Sequence, residues 1–346
     1  MSVSNVKPLP VTVVIPAYNA ARFIGEALDS VRAQTMPPAE TVVVDDGSTD
    51  PTGAIAEAWG ATVLRQRNQG NSAARNAAIR ASSQPWIAFL DADDVWEPEK
   101  LEYQWVAVQR CPGIGAVFTD FTEFNSSGPL GASFLSSRAQ NYQAILKKEV
   151  APGVVCCDAD SFRAHFFDGN FLAPSTLLAR RDLLLQVGLF NAALNYLEDR
   201  DLCLRLLRVS TMAGIERSLV RSRIHDSNWS SDALKMVQGM IALAELIFAN
   251  PKQYPRGAAE QYRKDLPSFY LNAGRFAEER NEIRQAREYY RRAWRAGGDL
   301  RPFVLALLSH FPRPVRRVVK TGVRGFMAPW NATRGTMARP NPAPGQ

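Results

Sequence analysis

The sequence predicts an α/β protein with a mostly parallel central sheet flanked by helices, followed by a C-terminal helical extension. Three observations carry this. Short β-branched apolar runs alternate with stretches of helical apolar spacing through the first hundred residues. Each of those runs stops at a cluster of polar residues, as strands do where ligand loops begin. From residue 232 onward the spacing is helical and the charge turns basic.

Taken in order, Val11 to Ile15 reads as a strand ended by Pro16, and residues 20–34 place Phe23, Ile24, Ala27, Leu28 and Val31 at helical spacing. Thr41 to Val44 is a second buried-strand run. Asp50-Pro51 supplies a cap and a proline at the first helical position, and Gly60 marks the end of that helix. Strand 61–65, helix 72–82 and strand 86–90 complete a βαβαβαβ series, which implies right-handed crossovers and a largely parallel sheet. Residues 120–170, with Ser/Gly-rich stretches at Asn125 to Gly131 and Ser133 to Ser137, read as a loop or lid. A strand near Pro174 to Ala179, a helix from about Glu198 to Arg208 and a strand over 218–224 follow. Two helical segments are expected within 258–296, divided around Asn272-Ala273-Gly274-Arg275 and faintly like one tetratricopeptide unit. The Pro/Gly-rich end, 331–346, is expected to fray.

With 346 residues and 46% apolar content, the chain can bury a large core. No run approaches the ~18 uninterrupted apolar residues of a membrane span, and the start MSVSNVKPLP lacks the pattern of a signal peptide. Cys111, Cys156, Cys157 and Cys203 form no zinc spacing and read as reduced thiols of a cytoplasmic protein. The net charge of +7 is uneven. Residues 251–346 hold 19 Lys/Arg against 7 Asp/Glu, or +12, while the first 250 hold 22 against 27, or −5. An acidic body with a basic tail suits a catalytic domain with a surface-attachment region, and no nucleic-acid partner is expected.

Three strand exits and one helix carry candidate chemistry. Asp45-Asp46-Gly47-Ser48 could accept from a nucleobase N–H, or could simply cap the next helix. Asp91-Ala92-Asp93-Asp94 closes the strand Trp86 to Leu90. Three carboxylates there repel unless a cation or protonation offsets them, and a solvated acidic turn is the plain alternative. The segment Asn68 to Asn76 places a glycine, a helix start and Arg75 just before that strand, a phosphate-friendly combination. Glu198 and Asp199 open a helix with Leu202, Leu206 and Val209 or Leu207 toward the core. Alone they would merely favour the helix dipole, beside an Asp201–Arg205 pair.

Read together, VTVVIPAYNA, VVVDDGSTD, NQGNSAARNAAI and WIAFLDADDVWEPEKL resemble the nucleotide-binding half of family 2 glycosyltransferases with the GT-A fold. NFLAPSTLLARRDLLLQVGLFNAAL, LEDRDLCLRLLR and RIHDSNWS extend the resemblance over about residues 10–231. It implies a GT-A domain over 1–231, with a nucleotide half at about 10–119 and an acceptor half at about 120–231. A basic helical region over 232–328 and a tail over 329–346 then follow. By the same resemblance, Pro16, Ala17, Tyr18 and Asp46 hold the nucleotide base, and Arg75 lies near the diphosphate or ribose. Asp91-Ala92-Asp93 is the DxD motif, with Asp93 the metal ligand and Asp91 directed toward ribose or sugar. Asp199, beside Glu198, is the catalytic base, and Arg223 and His225 border the site, His225 as a second metal ligand. The implied activity is inverting, hexosyltransferase-type transfer from a nucleotide-sugar, a UDP-sugar first, with Mg2+ or Mn2+. The acceptor would be a saccharide or lipid-linked hydroxyl in surface polysaccharide synthesis. Apart from the resemblance, Leu300, Phe303, Val304, Leu307, Leu308 and Phe311 recur at helical spacing, and Arg313, Arg316, Arg317, Lys320 and Arg324 follow. This end of a cytoplasmic protein therefore either lies on an anionic membrane surface at the inner face of the plasma membrane or packs on the catalytic domain with its arginines solvated. A catalytically inactive binding scaffold on the same fold is the alternative. A sugar-phosphate nucleotidylyltransferase fits less well, because Pro16-Ala17-Tyr18-Asn19 stands where that class has a glycine-rich, arginine-containing loop.

Overall fold

A computed structural model describes residues 7–137, 140–166, 172–225, 232–297 and 300–310. The chain forms two compact units, one of residues up to His225 together with Asn250–Ala258, the other of Asp226–Ala249 and everything from Ala259 on.

The first unit begins with the alternation that the sequence predicts: β1 (Leu9–Ala17), α1 (Ile24–Arg32), β2 (Pro38–Asp45), α2 (Thr52–Trp59), β3 (Thr62–Arg65), α3 (Asn71–Ala81) and β4 (Trp86–Phe89). β5 (Val95–Trp96), α4 (Lys100–Arg110), β6 (Ile114–Asn125) and β7 (Gly128–Pro129) follow, then short helices α5 (Phe134–Ser137) and α6 (Gln140–Gln143). A hairpin of β8 (Lys147–Ala151) and β9 (Val154–Cys157) leads to α7 (Ala159–Phe166). The unit continues with β10 (Leu178–Arg180), α8 (Arg181–Gln186), α9 (Glu198–Val209) and β11 (Thr211–Arg223).

Among the described residues, these strands make one sheet in the order β3-β2-β1-β4-β10-β6-β11-β9-β8, with β5 on β11 and β7 on β6. β3, β2, β1 and β4 are parallel; β10 runs antiparallel between β4 and β6. Val11, Val13, Val14 and Ile15 of β1 and Val42 to Val44 of β2 are buried, as expected of parallel strands covered on both faces. Every parallel strand therefore delivers its carboxyl end to one edge of the sheet, where Tyr18, Asp46 and Asp91 emerge. Gly60 ends α2 in the left-handed region, at φ 102°. The Asp50 carboxylate, one residue before Pro51, accepts the Thr52 N–H at 3.1 Å and the Ala21 N–H at 3.0 Å, so it ties α2 to the loop after β1.

Several sequence expectations need correction. Residues 120–170 are not a simple loop, because they contain the end of β6 and the β8–β9 hairpin, which turns at Gly153 with φ 72°. Serine and glycine there mark the turns between strands whose pairing partner, β11, comes much later in the chain. β11 begins at Thr211 rather than 218. On α9, Leu202, Leu206 and Leu207 are buried, whereas Val209 is exposed.

The reduced-thiol expectation also fails for two cysteines. Cys111, at the end of α4, and Cys156, on β9, form a disulfide with Cα atoms 5.5 Å apart. Forty-five residues separate them, and no spacing rule brings them together. Cys157 and Cys203 are free and buried, and burial pushes the Cys157 thiol up to about 12. Unfolding in denaturant without reductant should therefore expose two reactive thiols, and with reductant four. Reduction should lower stability by about 2–4 kcal/mol. A count of four without reductant would show the bond absent.

The second unit contains α10 (Ala233–Ala249), α11 (Ala258–Glu279), α12 (Ile283–Arg295) and α13 (Leu300–Leu308). Its core gathers Leu234, Val237, Ile241, Tyr270, Ala273, Ala277, Ala286 and Tyr290. The expected break around Asn272 to Arg275 is absent, and α11 runs through it. The chain turns instead at Asn281, with φ 65°. Gly274 is there for packing, since a Cβ on it would stand 2.5 Å from the Tyr290 ring. No described helix is long and apolar enough to cross a membrane.

Candidate active site

The loops after β1 and β2 are stitched together by side chains whose types the sequence dictates. Asn19, at φ 48°, accepts the Thr49 N–H at 2.8 Å, and its own N–H donates to Ser48 Oγ at 2.9 Å. Gly47 has φ 81°, and a Cβ there would lie 2.9 Å from the Asn68 nitrogen, so glycine lets the loops at 47 and 68 approach. Asp46 is buried and accepts three hydrogen bonds: from Gln66 Nε2 at 2.7 Å, the Gln69 N–H at 2.9 Å and the Gly70 N–H at 2.8 Å. The loop leading into α3 is thus folded around this carboxylate. Pro16 and Ala17 close β1, with Ala17 accepting the Asp46 N–H at 2.8 Å, and Tyr18 is 49% exposed at the rim.

The aspartate run after β4 is held from two sides. Ser175, in the short 3-10 turn Pro174–Thr176, accepts the Asp91 N–H at 3.0 Å and donates its hydroxyl to Asp94 at 2.6 Å. Asp94 also accepts the Arg223 N–H at 3.0 Å, from the end of β11. Ala92 is buried beneath the turn. Asp93 faces His225, with Oδ2 and Nε2 2.9 Å apart. The His225 ring stacks on Phe23 at 5.0 Å between centroids, and Arg223 donates from Nε to the Asp93 carbonyl at 2.9 Å and pairs with Glu26. Burial, and then the neighbouring Asp91 charge, raises the Asp93 carboxyl above its ordinary range, while His225 pulls the other way. Burial together with Asp93 and Asp91 pushes Asp94 up to about 8.

Arg75 connects this turn to the other half of the unit. Its side chain is 2% exposed, and its two terminal nitrogens reach Asp91 Oδ1 at 2.7 Å and Glu198 Oε1 at 2.9 Å. Burial works against the charge, but the two carboxylates outweigh it and hold the guanidinium charged. Glu198 is therefore committed to the ion pair. Asp199, the next residue, lines a small apolar hollow with Leu172, Ala173, Pro174, Phe190 and Leu202, and accepts the Arg200 N–H at 2.7 Å. Leu197, just before them, is buried at φ 62°, a costly conformation for a leucine that aims the start of α9. Farther along, Asp201 pairs with Arg205 inside the protein and accepts the Tyr254 hydroxyl at 2.7 Å, which anchors the helix carrying Glu198 and Asp199.

Asp91, Asp93, Arg75, Glu198 and His225 thus join one network, and Asp46 belongs to the neighbouring loop system. Glu26, Phe23, Asp94 and Ser175 are participants that the sequence reading did not assign. Asp94 lay in plain view within the acidic run; Ser175 carried no signal of its own. Trp96 is buried, with its N–H donated to the Ser175 carbonyl at 2.9 Å, and Trp105 packs edge-on against Trp86. Trp229 lies outside the described residues.

Among the described residues, no three His, Cys, Asp or Glu side chains form a ready-made metal cage. Asp93 and His225 nevertheless offer an oxygen and a nitrogen on one side of the turn. A hard divalent ion that takes its other ligands from phosphate and water needs no more protein than that.

Comparison with known proteins shows what carries this arrangement. The profile described as Glycosyl transferase family 2 matches residues 12–162. A putative glycosyltransferase, EpsH of Bacillus subtilis, is 39% identical over 268 residues, covering 75% of this chain and 74% of that protein. The chain belongs to glycosyl transferase family 2. A glycosyltransferase of Rickettsia typhi is 27% identical over 280 residues, 79% of this chain and 83% of its own. Among solved structures, S. aureus TarS 1-349 superposes with TM-score 0.61 at 19% identity, covering 92% of both chains. The mannosyltransferase PcManGT of Pyrobaculum calidifontis does so with TM-score 0.52 at 19% identity, over 95% of this chain and 90% of that one. The fold of this glycosyltransferase is accordingly GT-A, with the mixed sheet and C-terminal helices described above.

Proposed function

We propose that the protein transfers a sugar from a nucleotide-sugar, a UDP-sugar first, to the hydroxyl of a glycan or lipid-linked acceptor with inversion at the anomeric carbon. The observation that carries this reading is the buried Arg75 bridge. It joins Asp91, at the exit of a nucleotide-side strand, to Glu198, the residue beside Asp199. A displacement needs these two ends at a fixed separation, and a charged fork gripping a carboxylate on each side is a rigid way to maintain it.

In this reading Asp199 takes the proton of the acceptor hydroxyl. The oxygen bonds to the anomeric carbon as that carbon's bond to the diphosphate breaks, and the nucleoside diphosphate leaves with the electron pair. Asp93 and His225 would hold Mg2+ or Mn2+, which when bound would supply positive charge to offset that of the leaving diphosphate. Asp91 faces the ribose or sugar, while Pro16, Ala17, Tyr18 and the loop folded around Asp46 receive the base. Arg75, near the diphosphate or ribose, orients Asp91 and Glu198 by gripping one carboxylate with each terminal nitrogen.

Relatives lend the donor and the pathway class. TarS is solved in complex with UDP-GlcNAc, and PcManGT with GDP-Man and Mn2+. A putative teichuronic acid biosynthesis glycosyltransferase, TuaG of Bacillus subtilis, is 39% identical over 107 residues. That relative supports the reading of a role in surface polysaccharide synthesis.

The test is incubation with UDP-, GDP- and dTDP-sugars in the presence and absence of Mn2+. One donor at a hundred times its dissociation constant should stabilise the protein by about 2.7 kcal/mol and slowly release its nucleoside diphosphate. Asp93→Ala should remove both the Mn2+ dependence of donor binding and turnover. Full activity in a metal-chelated sample would sink the metal assignment, and failure to bind any donor would favour a scaffold.

A further inference from the structure

Helix α13 packs against the expectation for an amphipathic helix. Pro302, Ala306 and Ser309 face inward, while Leu300 is 72%, Phe303 37% and Leu307 51% exposed. These three recur at helical spacing and form one outward stripe. The helix is held in this orientation. Arg287 of α12 donates from Nε to Ser309 Oγ at 3.1 Å and from a terminal nitrogen to the Ser309 carbonyl at 3.3 Å. Trp294 of α12, 45% exposed, meets Phe303 at 5.0 Å between ring centroids, so the two helices share one apolar patch. Large side chains outward and small ones inward make a surface suited to something apolar outside the fold.

The charge around the patch says what that is. Arg291, Arg292 and Arg295 are exposed on the last turns of α12, next to Trp294. After Asp299 the sequence contains no acidic residue, and Arg313, Arg316, Arg317, Lys320 and Arg324 follow. An apolar stripe with a tryptophan at its edge and exposed arginines on the neighbouring turns, Arg292 among them paired with Glu288, matches a bilayer surface bearing anionic headgroups. Acyl chains take Leu300, Phe303 and Leu307, headgroup phosphates take the guanidinium groups, and an indole suits the boundary. We propose that the α12–α13 face is a membrane-surface docking site selective for anionic lipid. It sits wholly in the second unit and does not depend on the donor or acceptor assigned above.

The full chain should co-sediment with vesicles of phosphatidylglycerol and phosphatidylcholine, bind pure phosphatidylcholine at least tenfold more weakly, and release as salt rises. Changing Leu300, Phe303 and Leu307 together to Ser should lower partitioning at least tenfold while leaving donor binding unchanged, since none of the three belongs to the first unit. Brominated phosphatidylglycerol should quench Trp294, seen as a loss of quenching in Trp294→Phe, a substitution that keeps an aromatic ring against Phe303. Equal partitioning of the triple-serine and native proteins, or equal quenching in Trp294→Phe, would overturn the proposal. So would a native dimer in lipid-free solution that the serine changes dissociate, because the stripe would then be an interface between copies. Binding to a duplex oligonucleotide without binding to vesicles would reassign the arginines to nucleic acid.

Discussion

Asp199→Asn should retain nucleotide-sugar binding and lose transfer by about 10²–10⁴-fold, the range for removing a general base. The amide preserves the shape of the carboxylate and its acceptance of the Arg200 N–H, so α9 should start as before. What it loses is the capacity to take a proton. Glu198→Gln is the informative partner. Glu198 binds Arg75, so its neutralisation should lower stability and slow transfer together, through a displaced Asp91. Donor binding by thermal shift, paired with single-turnover transfer, separates the two. A near-normal rate in Asp199→Asn alongside a base-like loss in Glu198→Gln would move the base to Glu198.

Arg75→Met should destabilise the protein by about 3–5 kcal/mol, the cost of breaking a buried ion pair from one side. The side chains of Asp91 and Glu198 are 30% and 17% exposed, so water screens them only partly once the guanidinium is gone. Arg75→Lys should recover part of the stability but not the transfer rate, because a single ammonium cannot grip two carboxylates as a planar fork does. The double variant Arg75→Met with Glu198→Gln should be more stable than the sum of its parts, since one orphaned charge has been removed. Denaturant unfolding of the four proteins measures the coupling. A zero interaction term would mean that the bridge contributes nothing to the fold, and the positioning role of Arg75 would go with it.

The stretch from β1 to β4 was legible because its signals are local. Continuous Val/Ile runs, the Asp50-Pro51 start and the Gly60 stop each act over a few residues; β1, β2 and β3 are successive neighbours, and β4 returns to the other side of β1. The acidic run after β4 and the Glu198-Asp199 pair were visible for the same reason. The stretch from β6 to β11 hid itself because its strands pair out of order. β10 is inserted antiparallel between β4 and β6, and β9 must wait for β11, so serine- and glycine-rich turns looked like one long loop.

The sequence alone determined the fold class, the family resemblance and the list of carboxylates at the strand ends. Short-range periodicity and residue type suffice for these, since strand, helix and cap preferences are settled within one or two turns of chain. The tertiary structure alone decided what those groups hold. It spent the Arg75 fork on Asp91 and Glu198, 16 and 123 residues away, and made Ser175 the clamp on an acidic turn 84 residues earlier. It joined Cys111 to Cys156 and turned α13 with Leu300, Phe303 and Leu307 outward. Each of these outcomes depends on which distant surfaces the sheet order brings into contact, and no local preference encodes that order.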